Sequence, residues 1–142
     1  MIERASSIVA IKNTQNPRKY LLYNDKDWGV KFFPNYSNYK NNSEEEIKHK
    51  LSEQLGVKPS DIKLSFKTHG NEEKASTEHD NEIRKYSYDV YYATIKGFKF
   101  ENEDTFNLDD KSYYWMTTDE MLDDDKIKEH NDYLVKLIRD NA

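Results

Sequence analysis

The stretch from Trp28 to Val57, WGVKFFPNYSNYKNNSEEEIKHKLSEQLGV, constrains this chain more than any other, because it sets a strand, a turn-rich loop and a helix in immediate succession. Ser43 has the side chain of a helix N-cap, Glu46 follows at the capping-box spacing, and Gly56 suits a left-handed terminus. The spacing predicts a helix over 44–55. At 100° per residue Ile47, Leu51 and Leu55 share one stripe, while Glu46, His49, Lys50, Glu53 and Gln54 form a polar stripe beside it. One face is committed to packing and the other is available for chemistry.

The remaining chain alternates short apolar runs with turn chemistry. Residues 5–12 read as a strand with Ile8 and either Val9 or Ala10 turned inward, and 19–24 as a second strand joined to it in a hairpin through Asn13 to Arg18. A third strand runs from Trp28 to Pro34, where proline ends the ladder. After the helix and a turn at 58–61, Ile62, Leu64 and Phe66 alternate as in a half-buried strand. Residues 69–82 lack any apolar period and read as a hairpin loop. From Tyr86 to Ile95 both faces are apolar, with Tyr86, Tyr88, Val90, Tyr92 and Thr94 on one and Tyr91, Ala93 and Ile95 on the other. A strand at 112–116, a helical turn at 119–122 capped by Thr118, and a helix at 125–139 with Ile127, Tyr133, Leu134, Leu137 and Ile138 on one side complete the order.

At 142 residues the chain fits one domain spanning 1–142. Its charged fraction of 35% would suit disorder, but 11 Tyr, 6 Phe and 2 Trp in alternating runs indicate a packed core. No cysteine is present, which excludes disulfides, thiolate metal sites and a cysteine nucleophile. Glu3 and Arg4 follow Met1 without a signal-type apolar core, and no apolar run reaches membrane-spanning length, so a soluble cytoplasmic protein without membrane association is expected. The net charge of −5 is uneven: residues 101–125 carry ten acidic side chains and one basic. That patch argues against a nucleic-acid-binding surface. Four glycines form no phosphate loop or dinucleotide fingerprint.

Laid on residues 35–57 without a gap, the central stretch resembles the Nudix box, in which a Gly, five residues, a Glu, seven residues and an Arg-Glu-apolar-any-Glu-Glu-any-Gly-apolar run follow one another. Leu51, Glu53, Gly56 and Val57 match, and Trp28, Phe32, Phe33 and Pro34 resemble the aromatic lead-in. Asn35, Asn41, His49, Lys50 and Gln54 depart, standing for Gly, Glu, Arg, Glu and Glu respectively. WMTTDEMLDD from Trp115 resembles the ending of many such domains. The resemblance covers about residues 4–139 and implies a Nudix-type α/β/α sandwich with a mixed sheet, the box helix and a C-terminal helix.

What the resemblance implies chemically is hydrolysis of a diphosphate linked to a further group, with box carboxylates holding Mg²⁺ or Mn²⁺. Here Lys50, Glu53 and Gln54 stand at the three carboxylate positions, so Glu53 is the one retained anion. A protonated lysine has no lone pair for a metal, and magnesium requires several hard oxygens. His49 and Glu53, at i and i+4, are two ligands, too few for a structural zinc site. His69, His79 and His130 read as surface residues, and Asp109 and Asp110 as an acidic turn. The expected function is therefore a nucleotide-type ligand-binding or regulatory module without a cofactor. The alternatives are a pyrophosphohydrolase that recruits Mg²⁺ ligands from outside the box, and a homodimeric or partner-binding structural module. The expected pocket lies between box helix and sheet, lined by Phe33, Lys50, Glu53 and Gln54, with Arg4 and Tyr88 from neighbouring strands.

Overall fold

A computed structural model describes residues 2–24, 29–37, 43–76 and 82–142. Among these residues eight strands and three α-helices run in the order β1 (Ile2–Ile11), β2 (Lys19–Asn24), β3 (Lys31–Phe32), β4 (Asn35–Ser37), α1 (Glu44–Leu55), β5 (Ile62–Ser76), β6 (Glu82–Ile95), β7 (Thr105–Leu108), β8 (Lys111–Thr117), α2 (Thr118–Asp123) and α3 (Asp125–Asp140), with a 3₁₀ turn at Pro59–Asp61 before β5. They build two four-stranded sheets, ordered β4-β1-β6-β5 and β3-β2-β8-β7. The first is mixed: β1 runs parallel to β6, whereas β4 and β5 are antiparallel to their neighbours. The second is antiparallel. No helix among the described residues is long and apolar enough to cross a membrane.

The central strands β1, β2 and β6 are covered on both faces, which is why they read as apolar runs instead of clean alternations. Val9, Ile11, Leu21, Tyr91, Ala93, Ile95, Tyr113 and Trp115 pack with Ile47, Leu51 and Leu55 of α1. Ile8, Ala10, Tyr20, Leu22, Tyr88 and Val90 pack on the other side with Met121 of α2 and with Ile127, Leu134, Val135 and Ile138 of α3. The expected α/β/α sandwich is the observed architecture.

Helix α1 has the expected bounds because its signals are local. Glu46 N donates to the Ser43 hydroxyl at 3.2 Å, and Gly56 closes the helix at φ 66°. Other boundaries moved where partners, not local sequence, decide them. β1 and β2 do not form a hairpin: beyond the Lys12–Tyr20 bridge they diverge into different sheets. The third strand is likewise divided. β3 and β4 lie in different sheets, and between them the Pro34 carbonyl accepts from Val9 N at 2.9 Å; Trp28 is outside the described residues. β7, unmarked by any periodicity, exists because β8 pairs with it. Thr117, not Thr118, caps α2, in a full capping box with Glu120.

The largest difference concerns residues 69–82, expected as a loop. β5 continues to Ser76 and β6 begins at Glu82, in register from His69↔Asp89 to Ser76↔Glu82. Polar side chains suffice here because backbone pairing with β6 and contact with α3 hold the arm. Lys74 Nζ donates to the His130 carbonyl at 2.5 Å, where α3 is broken at non-helical Asn131, and Asn71 N donates to the Tyr133 hydroxyl at 3.2 Å. Gly70 permits this approach: a Cβ there would lie 2.6 Å from both Leu137 Cδ2 and the Tyr133 hydroxyl. Gly70→Ala is expected to cost about 1–3 kcal/mol through overpacking, read as a lowered urea midpoint with an unchanged slope.

Candidate functional site

The polar stripe of α1 meets the sheets through Gln54. Its Oε1 accepts from the Tyr36 hydroxyl at 2.6 Å, and its Nε2 donates to the Tyr113 hydroxyl at 3.1 Å. Each partner is fixed by its strand. Tyr36 sits on the short β4, and Tyr113 is stacked in a column with Phe106 and Phe100, at centroid separations of 5.0 and 4.3 Å. Tyr23 lies 6.1 Å from Tyr113, and its hydroxyl accepts from Asn35 Nδ2 at 3.2 Å. Burial pushes the Tyr36 hydroxyl far above the ordinary phenol range, with Tyr113 and Tyr23 adding to the shift, and burial also raises Tyr113. Both hydroxyls stay protonated at neutral pH. The Gln54 amide is therefore a bridge with its acceptor and a donor engaged.

Lys50 and Glu53 flank this bridge. Lys50 Nζ stands 5.9 Å from the Tyr36 ring centroid, within reach of a cation–π attraction. Glu53 does not pair with Lys50; its carboxylate meets His49 Nε2 at 2.6 Å, one helical turn away, on an exposed surface. No group of three or more His, Asp or Glu side chains among the described residues is placed to hold a metal ion. The donor set on this face of α1 is one exposed carboxylate, one engaged amide and one ammonium, which does not suit magnesium.

The structure divides the six candidate residues into two groups. Lys50, Glu53 and Gln54 are together on α1. Phe33 is 1% exposed in the opposite core layer, edge-on to Tyr20 and Phe32. Tyr88 is buried in that same layer, donating to Glu72 Oε2 at 2.8 Å. Arg4 pairs in register with Tyr86, and by the two-residue period of the strand it shares the face of Ile8 and Ala10. The pleat of β1 and β6 thus turns Arg4 and Tyr88 away from α1, and Phe33 leaves the site by packing under α2 and α3.

In their place the structure brings up residues that carry no sequence motif. One cross-strand row on the α1 face of the mixed sheet runs Tyr36, Ser7, Asp89, His69, from β4 through β1 and β6 to β5. Ser7 is fully buried, and its hydroxyl has no partner among the described residues. Asp89 Oδ1 meets His69 Nδ1 at 2.8 Å. Three inter-strand steps make the row roughly 14 Å long. Beside it lie Tyr91 and Phe66, with ring centroids 5.6 Å apart and nearly perpendicular. A separate cleft of about 640 Å³, bordered by Lys48, Asp61, Lys63 and Lys96, has no aromatic lining side chain on which a base could stack.

No family model matches the sequence, and no curated protein matches it. Among solved structures, C. elegans Ap4A hydrolase is similar with a TM-score of 0.55 and 13% identity, over 98% of this chain and 94% of that one. A binary complex of a C. elegans Ap4A hydrolase gives a TM-score of 0.56 and 12% identity, over 98% and 93%. With the two sheets between α1 on one side and α2 and α3 on the other, the chain has the α/β fold of these hydrolases.

Proposed function

We propose that this protein binds a nucleotide-type ligand in the cleft between α1 and the mixed sheet, and that it does so without a divalent metal and without hydrolysis. The Nudix-type fold supports the ligand class, since the similar structures are, by name, Ap4A hydrolases. The single observation that carries the non-hydrolytic reading is the Gln54 bridge. An amide that already joins Tyr36 to Tyr113 stands where the box resemblance places a metal-binding carboxylate. Without a metal there is no Lewis acid to polarise the phosphates and no metal-activated water.

Lys50 supplies the charge in this reading. Its ammonium, above the Tyr36 ring, meets the phosphates and offsets their charge next to Glu53. Opposite charges about 4 Å apart attract by about 1 kcal/mol in water and by several times that in a partly desolvated cleft.

Titration calorimetry with nucleoside di- and triphosphates, dinucleotides and sugar nucleotides tests the proposal. Binding of at least one of them is expected to be the same in EDTA as in Mg²⁺, and Lys50→Ala is expected to weaken it by roughly tenfold. Robust turnover of any of these compounds with Mg²⁺ or Mn²⁺ would sink the non-hydrolytic reading.

A further inference from the structure

The cleft of about 640 Å³ opens beside the start of β5, on the other flank of α1 from Lys50. Lys48 is two residues from Lys50, about 200° around the helix, so it lines this cleft and not the proposed nucleotide site. Lys63 comes from β5 and Lys96 from the turn after β6, so ammonium groups from three separate elements border one space. The strand register sets Thr94 directly across from Lys63, and Lys96 N donates to the Asp61 carbonyl at 2.8 Å, which fixes this wall through the backbone. Lys19, Lys31, Lys74 and Lys136 each meet a carboxylate, whereas Lys48, Lys63 and Lys96 form no ion pair among the described residues. Asp61 is the only acidic side chain among the described residues that line the cleft, so three ammonium groups face one carboxylate in a chain of net charge −5. The hydroxyls of Ser60 and Thr94 add two donors that are uncommitted among the described residues.

We propose that this cleft is a second ligand site, independent of the nucleotide-binding reading, and that it takes a small polyanion of linked phosphoryl groups without a base. Its volume is that of a small-molecule site. Point-like ammonium groups and hydroxyl donors suit the tetrahedral oxygens of a phosphoryl group. A planar carboxylate is best held by the two-pronged guanidinium, and no arginine is among the described residues that line the cleft. The lack of an aromatic wall leaves a base nothing to stack on. Lysines held on three elements repel one another when the cleft is empty, and a chain of phosphates meets more of them at once than a single phosphate does.

Calorimetry on the full chain with tripolyphosphate as the probe tests the assignment. Tripolyphosphate is expected to bind at least roughly tenfold more tightly than orthophosphate, with an affinity that falls as NaCl is raised. Lys63→Ala combined with Lys96→Ala is expected to weaken it roughly tenfold or more, and Asp61→Asn, which removes the opposing carboxylate, to tighten it roughly threefold. Lys136→Ala, on α3 outside the cleft, is expected to change nothing. Amide NMR shifts locate the bound anion, and they are expected at residues 60–64 and 94–97. Shifts confined to Tyr36 and residues 50–54 would overturn the proposal, as would undiminished binding by the double variant or no binding at about 10 mM. Tighter binding of a hexaglutamate peptide than of tripolyphosphate would replace phosphate by an acidic peptide and overturn the ligand class. None of these outcomes depends on whether nucleotides bind at the other flank of α1. Lys63 and Lys96 are exposed, so the double variant keeps the core intact, and circular dichroism checks this directly.

Discussion

Phe33→Ala is expected to destabilise the protein by about 3–5 kcal/mol while leaving the ligand affinity of the folded fraction unchanged. The ring is 1% exposed and packs edge-on against Tyr20 at 6.5 Å and Phe32 at 6.1 Å, in the layer that also contains Met121, Ile127 and Leu134. Truncation removes the whole ring from a closely packed region that β2, α2 and α3 constrain from several sides, so collapse around the cavity is limited. Urea unfolding followed by tyrosine and tryptophan fluorescence gives the stability. Calorimetry at low temperature, where the variant remains folded, gives the affinity. A variant of native stability that has lost binding would return Phe33 to the ligand site.

Introducing Lys50→Glu together with Gln54→Glu is expected to create Mg²⁺ binding at about millimolar concentration, where the unaltered protein is expected to show none. With Glu53 the two substitutions place three carboxylates at i, i+3 and i+4 on one helical face, the spacing at which side chains of a helix meet. Magnesium gains hard oxygens, and the ammonium that opposes it is gone. Gln54→Glu leaves the Tyr36 donation intact, and the Tyr113 hydroxyl can rotate to donate where it previously accepted. Without metal the added like charges lower stability. With Mg²⁺ at ten times its dissociation constant, the folded state regains about 1.4 kcal/mol. Thermal unfolding with and without Mg²⁺ therefore reads the same event as calorimetry. Tight Mg²⁺ binding by the unaltered chain would reverse the account of this site.

Helix α1 and the residues on it were legible in the sequence because every signal involved is local. Ser43, Glu46 and Gly56 set the ends of α1 through hydrogen bonds and a backbone conformation that span four residues at most, and Ile47, Leu51 and Leu55 share a face by helical period alone. The two-faced apolar character of β6 was also legible, since burial on both sides leaves its mark on consecutive residues. So was the α/β class. The sequence therefore determined which helix could present Lys50, Glu53 and Gln54 side by side.

Only the tertiary structure decided what those side chains meet. Strand partners are set by contacts distant in the chain, so no local pattern showed that β1 and β2 enter different sheets, that β7 exists, or that polar residues 69–76 form a strand against β6. A pleat assigns each side chain to one face only after the sheet is assembled. That is why Arg4, Tyr88 and Phe33, plausible neighbours of α1 on paper, end on its far side, whereas Tyr36, Tyr113, Asp89 and His69, which no spacing singled out, face it. Gln54 alone could be read as a lost carboxylate; 18 residues from Tyr36 and 59 from Tyr113, it becomes a bridge only when the two strands that carry their hydroxyls are packed against α1.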